Sequence, residues 1–421
     1  MKILILHRVP YFKIEYARGI PHDRHEVTYF GTDQALATLP DGLRCERVSR
    51  PGTRSAYDEA RQWLTTHPRT FDRVISVSEY ELLDAARLRE HLGVTGPRVE
   101  QVTLTRDKVL MKQAAQDAGI RVPRFSALPD LLHPHARAPW QGRTVLKPHR
   151  GASSENVLVY DTPHQALTAV TEGRTGVAAL DTGTGRADFQ AEEFISGPIR
   201  HFDGLIQDGT LLLLTASQYV GTCLRYAQGQ PMGSYQITCD APTRTWVTRA
   251  LAAVGIKDGS FHLEAIVSEE QELVFLEVGN RVGGADVVAT VELATGVHLP
   301  SYELRILLGE PVADRLPAPP AGARRYGWFV HPGHHLAGQE FHGLDGTGAF
   351  RASARVVAWN ELQSGARLPD HITYQAGETV LAGIVASNTP EETRDWIVDL
   401  FNSLTVRTRP AAPTPAEQVL A

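Results

Sequence analysis

Cysteine is scarce: the 421 residues contain three, Cys45, Cys223 and Cys239, and no CxxC pair. That excludes a zinc ribbon and a disulfide framework. A basic excess is missing too, since the formal net charge is −6 and the dense basic stretches are as short as Arg324-Arg325. A nucleic-acid partner is therefore not expected. Long apolar runs are absent: the first stops at His7-Arg8, and those at 211–214 and 250–254 are far below membrane length. No membrane partner and a cytoplasmic location are expected. No GxGxxG follows the first apolar run and no Gly-Lys-Ser/Thr occurs, so neither a dinucleotide loop nor a Walker loop is indicated.

What is present is an ordinary globular composition, 42% hydrophobic and 21% charged, long enough for two or three subdomains. Residues 1–102 alternate strands (2–6, 73–77) with a helix at 79–92. Leu82, Leu83, Ala86, Leu88 and Leu92 form one face of that helix and Gly93 closes it, the pattern of a doubly wound α/β domain. Thr105 is expected to cap a helix running to 118, with Asp107 in its first turn and Gly119 at its end. Residues 103–196 then read as that linker helix plus a small subdomain with strands at 144–147, 157–160 and 189–194. Residues 197–407 read as a larger α+β domain. Its strands lie at 211–214, 260–267, 273–278, 326–330 and 379–386, and its helices at 246–254 and 391–404. Residues 408–421 carry Pro410 and Pro413 and are expected to be a disordered tail.

Three segments carry chemistry. Lys147 ends an apolar strand and precedes Gly151, Ala152, Ser153 and Ser154, small residues whose backbone N–H groups can approach phosphate oxygens. Alone, this is more often an ordinary strand end. Gln190-Ala191-Glu192-Glu193-Phe194-Ile195 leads acidic residues into an apolar strand end. Glu192 and Glu193 could offer donors and acceptors to an adenine edge while Phe194 or Ile195 packs on its face; a strand with a solvated acidic side is the plainer reading. The third segment is stronger. Glu264 and Glu277 lie inside the apolar strands of one hairpin. Two such carboxylates are costly unless a cation joins them, and magnesium suits oxygen ligands. Arg281, four residues on and beside Gly283-Gly284, could contact a phosphate; an ion pair with Glu277 is the structural alternative.

Together and in this order, the segments resemble the ATP-grasp superfamily over residues 75–295. Thr105-Arg106-Asp107-Lys108 and Ala118-Gly119-Ile120 resemble its helix before the small ATP subdomain. Ser78-Glu79, His262-Leu263-Glu264 and Glu277-Val278-Gly279-Asn280-Arg281-Val282-Gly283-Gly284 look most like the L-amino-acid ligases. Two positions depart from the family pattern. Gly279 stands where many members carry a metal-binding asparagine, and Ile199 stands where a ribose-binding acid is common, leaving His201, Asp203 or water as ribose contacts.

The resemblance implies an ATP-grasp fold and an ADP-forming ligase that couples a small-molecule carboxylate to an amine, amino acids among them, through an acyl phosphate. Lys108 and Lys147 would hold the ATP phosphates with Gly151, Ser153 and Ser154. Glu264 and Glu277 would hold Mg2+, or Mn2+, and Arg281 would stabilise transferred charge. The residues at 151–156 would form a lid, and substrate choice would rest on loops at 219–235 and 331–348. A homodimer is compatible with this reading. A carboxylase or purine-pathway ligase of the same superfamily, and a non-catalytic nucleotide-binding protein, are the alternatives.

Overall fold

The computed structural model describes residues 1–318, 320, 322 and 324–410. The expected tail at 411–421 lies outside them. Residues 408–410, expected to begin that tail, instead end the strand Thr405–Pro410, which pairs antiparallel with Gln339–Asp345.

The N-terminal region is a parallel four-stranded sheet in the order Glu46–Ser49, Glu26–Gly31, Lys2–His7, Arg73–Ile75. Its two inner strands, Lys2–His7 and Glu26–Gly31, are buried on both faces, as a sheet covered on both sides requires, while the edge strand Glu46–Ser49 is polar and largely exposed. One face packs Ile3, Ile5 and Tyr29 against Leu304 and Leu308; the other packs Leu4, Leu6 and Phe30 against Ala85 and Leu88. The helix Leu82–Leu92 of that region ends on Gly93 at φ 67°, the left-handed cap that glycine adopts without strain.

A second four-stranded sheet runs Phe125–Ala127, Phe189–Glu193, Thr144–Pro148, Leu158–Tyr160, all antiparallel. It carries its own core of Leu128, Trp140, Leu146, Val170 and Phe189. The helix Lys108–Asp117, expected to go with this subdomain, buries Met111 and Ala115 with Phe202, Val247 and Phe261 of the large domain. The cap differs from expectation as well. Thr105 terminates the preceding helix Val99–Leu104, and Asp107 caps the next one by accepting from the Val109 and Leu110 N–H groups. A carboxylate reaches two orphan helix donors at once, which a threonine two residues earlier cannot.

The large domain is built on an eight-stranded antiparallel sheet. Its order is Leu273–Gly279, Gly259–Val267, Ile199–Gln207, Thr210–Val220, Met232–Ile237, Arg325–His331, Leu381–Ser387, Val356–Glu361. The strand Ile199–Gln207 was not expected, yet it is central. Gly204 allows its close approach to the next strand: an added Cβ would lie 1.9 Å from the Leu213 carbonyl oxygen. Among the described residues, no helix is long and apolar enough to cross a membrane.

Candidate functional site

Alternation along the hairpin puts His262 and Glu264 on one sheet face, and cross-strand register puts Glu277 directly opposite Glu264. The next strand continues the row, with His201 opposite Glu264 and Asp203 opposite His262. These groups are joined by short hydrogen bonds. Tyr219 Oη donates to Glu264 Oε1 at 2.6 Å, and His262 Nε2 lies 3.4 Å from the same oxygen. His262 Nδ1 is 2.7 Å from Asp203 Oδ1, His201 Nδ1 is 2.6 Å from Asp203 Oδ2, and His201 Nε2 is 2.6 Å from Ser234 Oγ.

Burial alone would raise the Asp203 pKa, but the two imidazoles outweigh it and hold the carboxyl below its usual range. Burial would likewise lower His262; the Asp203 carboxylate overrides it and raises this imidazole to about 9. His262 is therefore a cation at neutral pH, with one N–H for Asp203 and the other facing Glu264. His201 and Asp203, expected as ribose contacts, are each 1% exposed and are consumed by this chain of bonds. Their effect falls on Glu264 instead: one of its oxygens is fixed and the other is left for a ligand.

Glu277 faces the opening, with its side chain 35% exposed and Lys108 Nζ 3.3 Å from Oε2. Burial would raise its pKa, but Lys108 and Lys147 pull it well below the carboxylate range. Arg281 does not pair with Glu277. Its Nε donates to Glu79, and its Nη1 donates to the Val282 carbonyl oxygen at 2.6 Å. The other oxygen of Glu79 holds Arg106. Segments from the N-terminal sheet, the linker and the large sheet thus meet on one carboxylate. Glu79 and Arg106 were not singled out as site residues, although both stand within motifs that carry the resemblance. Asn280 is turned away, donating to the Asp258 and Ser260 carbonyls at 3.1 and 2.8 Å.

On the small sheet, Lys147 Nζ lies 2.7 Å from Glu192 Oε1, and Lys112 Nζ binds the other oxygen. Burial alone would raise the Glu192 pKa, but the two lysines outweigh it and lower it, leaving a carboxylate. Lys112 is fully buried, and desolvation brings it down to about 7. It sits one turn from Lys108 on the same helix face, a spacing that could have shown it in the sequence. Lys108 Nζ also donates to the Gly151 carbonyl at 3.1 Å. In the loop that follows, Ser153, Ser154 and Asn156 hold left-handed φ angles of 58°, 55° and 58°. Along the expected adenine edge, Glu193 binds Arg124 at 2.7 Å, and Phe194 lies under the Arg143 guanidinium at 3.7 Å. Ile195 is half-buried beside it.

The donor set suits a nucleoside triphosphate with a divalent cation. Lys108, Lys147 and the buried, unpartnered His149 Nε2 offer positive charge and a hydrogen-bond group to phosphate. The free oxygens of Glu264 and Glu277 offer hard ligands to the metal.

No family model matches the chain. The L-arginine-specific L-amino acid ligase of Bacillus subtilis is 25% identical over 246 residues, 56% of this chain and 57% of that protein, so the match spans little more than half of the relative. The crystal structure of an L-amino acid ligase from Bacillus licheniformis superposes with a TM-score of 0.70 at 22% identity, covering 96% of this chain and 98% of that one. Phosphoribosylglycinamide synthetase from Anaerococcus prevotii gives 0.63 at 14%, covering 96% and 99%. The biotin carboxylase domain of Hydrogenobacter thermophilus 2-oxoglutarate carboxylase, solved with MgADP and bicarbonate, gives 0.66 at 14%, covering 97% and 90%.

Proposed function

We propose that this chain, which has the ATP-grasp fold, is an ADP-forming ligase that couples a carboxylate to an amine, with amino acids as substrates. The observation that carries the reading is the convergence of Glu264, Glu277, Lys108 and Lys147 where the small and large sheets meet, with Arg281 four residues beyond Glu277. Lys108 and Lys147 would bind the phosphates. Glu264 and Glu277 would hold magnesium or manganese, which supplies charge neutralisation to the phosphate oxygens.

The substrate carboxylate attacks the terminal phosphorus, the bond to ADP breaks, and an acyl phosphate remains. An amine then attacks the acyl carbon and phosphate leaves. Both steps need positioning and charge stabilisation rather than a protein nucleophile. With Nε and Nη1 of Arg281 engaged, its Nη2 has no partner among the described residues and is the edge for transferred charge. The segment at 151–156, which contains Gly151, Ser153 and Ser154, would cover the intermediate against water. A cytoplasmic location and a homodimer belong to this reading.

The test is a panel of amino-acid pairs assayed for ADP release, with oxygen-18 in the carboxylate of the donor. One label is expected in inorganic phosphate, together with a mass matching an amide. Label in AMP would show adenylation and end the reading. ADP release that depends on bicarbonate would transfer it to a carboxylase.

A further inference from the structure

The buried polar groups behind Glu264 close on themselves. Asp203 holds His262 through one oxygen and His201 through the other, at 2.7 and 2.6 Å. His262 Nε2 faces Glu264 Oε1, Tyr219 Oη donates to that same oxygen, and the Tyr219 ring stacks on His201 with centroids 4.6 Å apart. The contacts thus run in a ring through Glu264, His262, Asp203, His201 and Tyr219, across three neighbouring strands of the large sheet. Ser234 Oγ, 2.6 Å from His201 Nε2, ties the ring to a fourth strand.

The ligand atoms of His201, Asp203 and His262 lie within 4.8 Å of one another, so a metal centre is the rival account of this cluster. The contacts argue against it. Two ligands of one tetrahedral ion, each ~2.0–2.1 Å from it, stand roughly 3.4 Å apart. Here each imidazole nitrogen sits on its carboxylate oxygen at hydrogen-bond length.

The ring also seats a second element. Gly283, two residues after Arg281, is pressed onto it: an added Cβ would lie 2.8 Å from His262 Nδ1 and 2.9 Å from Asp203 Oδ1, the two atoms of one hydrogen bond. At Gly284 an added Cβ meets nothing within 4 Å. The loop that carries Arg281 therefore rests on the same hydrogen bond that orients Glu264.

We infer that Asp203 is a positioning residue that sets Glu264, the proposed metal ligand, in register with the loop bearing Arg281. The inference rests on the ligase reading. Asp203 is buried and both its oxygens are spent on imidazoles, so it acts through its neighbours. A carboxylate fixed at one oxygen presents the other in a single direction and loses less freedom when an ion binds. A loop seated on the same support keeps the arginine and the ion in one frame, which phosphoryl transfer requires.

The test uses the full chain with Mn2+ and ADP, reading protein-bound Mn2+ by electron paramagnetic resonance, and turnover in Mg2+ with the best pair from the amino-acid panel. Asp203→Asn should weaken Mn2+ binding by about tenfold or more and raise the half-saturating Mg2+ in proportion, while the KM for ATP at saturating metal barely moves. Tyr219→Phe, which removes one hydroxyl from the Glu264 end, should weaken Mn2+ by about threefold, and Ser234→Ala, further along the chain of bonds, by less. A general loss of structure would not follow that gradient. Gly283→Ala should copy Asp203→Asn, Gly284→Ala should match the wild type, and the double variant Asp203→Asn/Gly283→Ala should be no worse than its poorer parent. If Asp203→Asn does not fold, Tyr219→Phe and Gly283→Ala decide. Unchanged Mn2+ affinity in Tyr219→Phe and Gly283→Ala, or losses in Asp203→Asn and Gly283→Ala that multiply, would overturn the inference and leave the ligase reading standing. A stoichiometric transition metal in the purified protein that disappears in Asp203→Asn would make the cluster a metal centre and overturn it too. If Glu264→Gln binds Mn2+ as the wild type does, Glu264 is no ligand, and the metal side of the ligase reading falls together with this inference.

Discussion

Glu192 and Glu277 are both glutamates on antiparallel strands, and both lie beside lysines of the helix Lys108–Asp117, yet they are built differently. Glu192 sits on an interior strand, its side chain 4% exposed, with a lysine on each oxygen. Glu277 sits on an edge strand, its side chain 35% exposed, with one lysine at 3.3 Å and another carboxylate directly across from it. The first is electrostatically complete without any ligand. The second is a concentration of negative charge that a divalent cation would complete. The difference separates scaffold from site more sharply than residue type does: a buried acid with all its partners present holds a subdomain together, and a half-open acid facing another acid waits for something.

The largest expected effect lies on the open side. Glu277→Gln should lower turnover by ~10²–10³-fold and raise the magnesium concentration needed for half activity. The melting temperature should barely move, since Lys108 keeps its bond to the Gly151 carbonyl. A large loss of stability would mean that Glu277 is structural, and the contrast with Glu192 would dissolve.

On the closed side the expectation inverts. Glu192→Gln leaves two buried lysines without a counter-charge and should cost about 3 kcal/mol in denaturant unfolding. Lys112→Met should cost far less, because it leaves Lys147 and Glu192 as a balanced pair. Equal losses from the two variants would show that the charge count does not govern this cluster.

The sequence disclosed strands and acids better than it disclosed partners. The strands around His262-Leu263-Glu264 and Glu277 were legible because apolar alternation is a local signal. The register that sets Glu264 against Glu277 was not legible, because the pairing that the turn starts is shifted by one residue at a bulge between Glu264 and Ala265. The lysines that hold Glu192 come from 45 and 80 residues away in the chain, so the sequence pattern did not show them. The central strand Ile199–Gln207 was missed because its site face carries His201 and Asp203, polar groups that lower its apolar signal while forming the buried support of Glu264. Glu79 was seen as a helix opening, and only the fold brings it to Arg281. Site residues stood out where they interrupt an apolar pattern; the groups that hold them in place did not.

The smallest expected effect concerns Asp107, where structure and site adjoin. Its carboxylate accepts from the Val109 and Leu110 N–H groups, and it also lies 3.8 Å from His149 Nδ1 and 3.9 Å from Arg150. The first role fixes the start of the helix that carries Lys108 and Lys112. The second ties that start to the loop after Lys147. Asp107→Ala removes both and should cost about 1 kcal/mol, the usual value of a lost helix cap. Asp107→Asn keeps a cap acceptor but removes the charge, so its stability should stay within a few tenths of the wild type. The two variants then separate cap from charge in turnover. If seating of Lys108 matters, Ala lowers activity and Asn preserves it. If the charge holds His149 and Arg150 away from the phosphates, both variants alter the KM for ATP together. A stability loss in Asn equal to that in Ala would show that the ion pairs, not the cap, hold this corner.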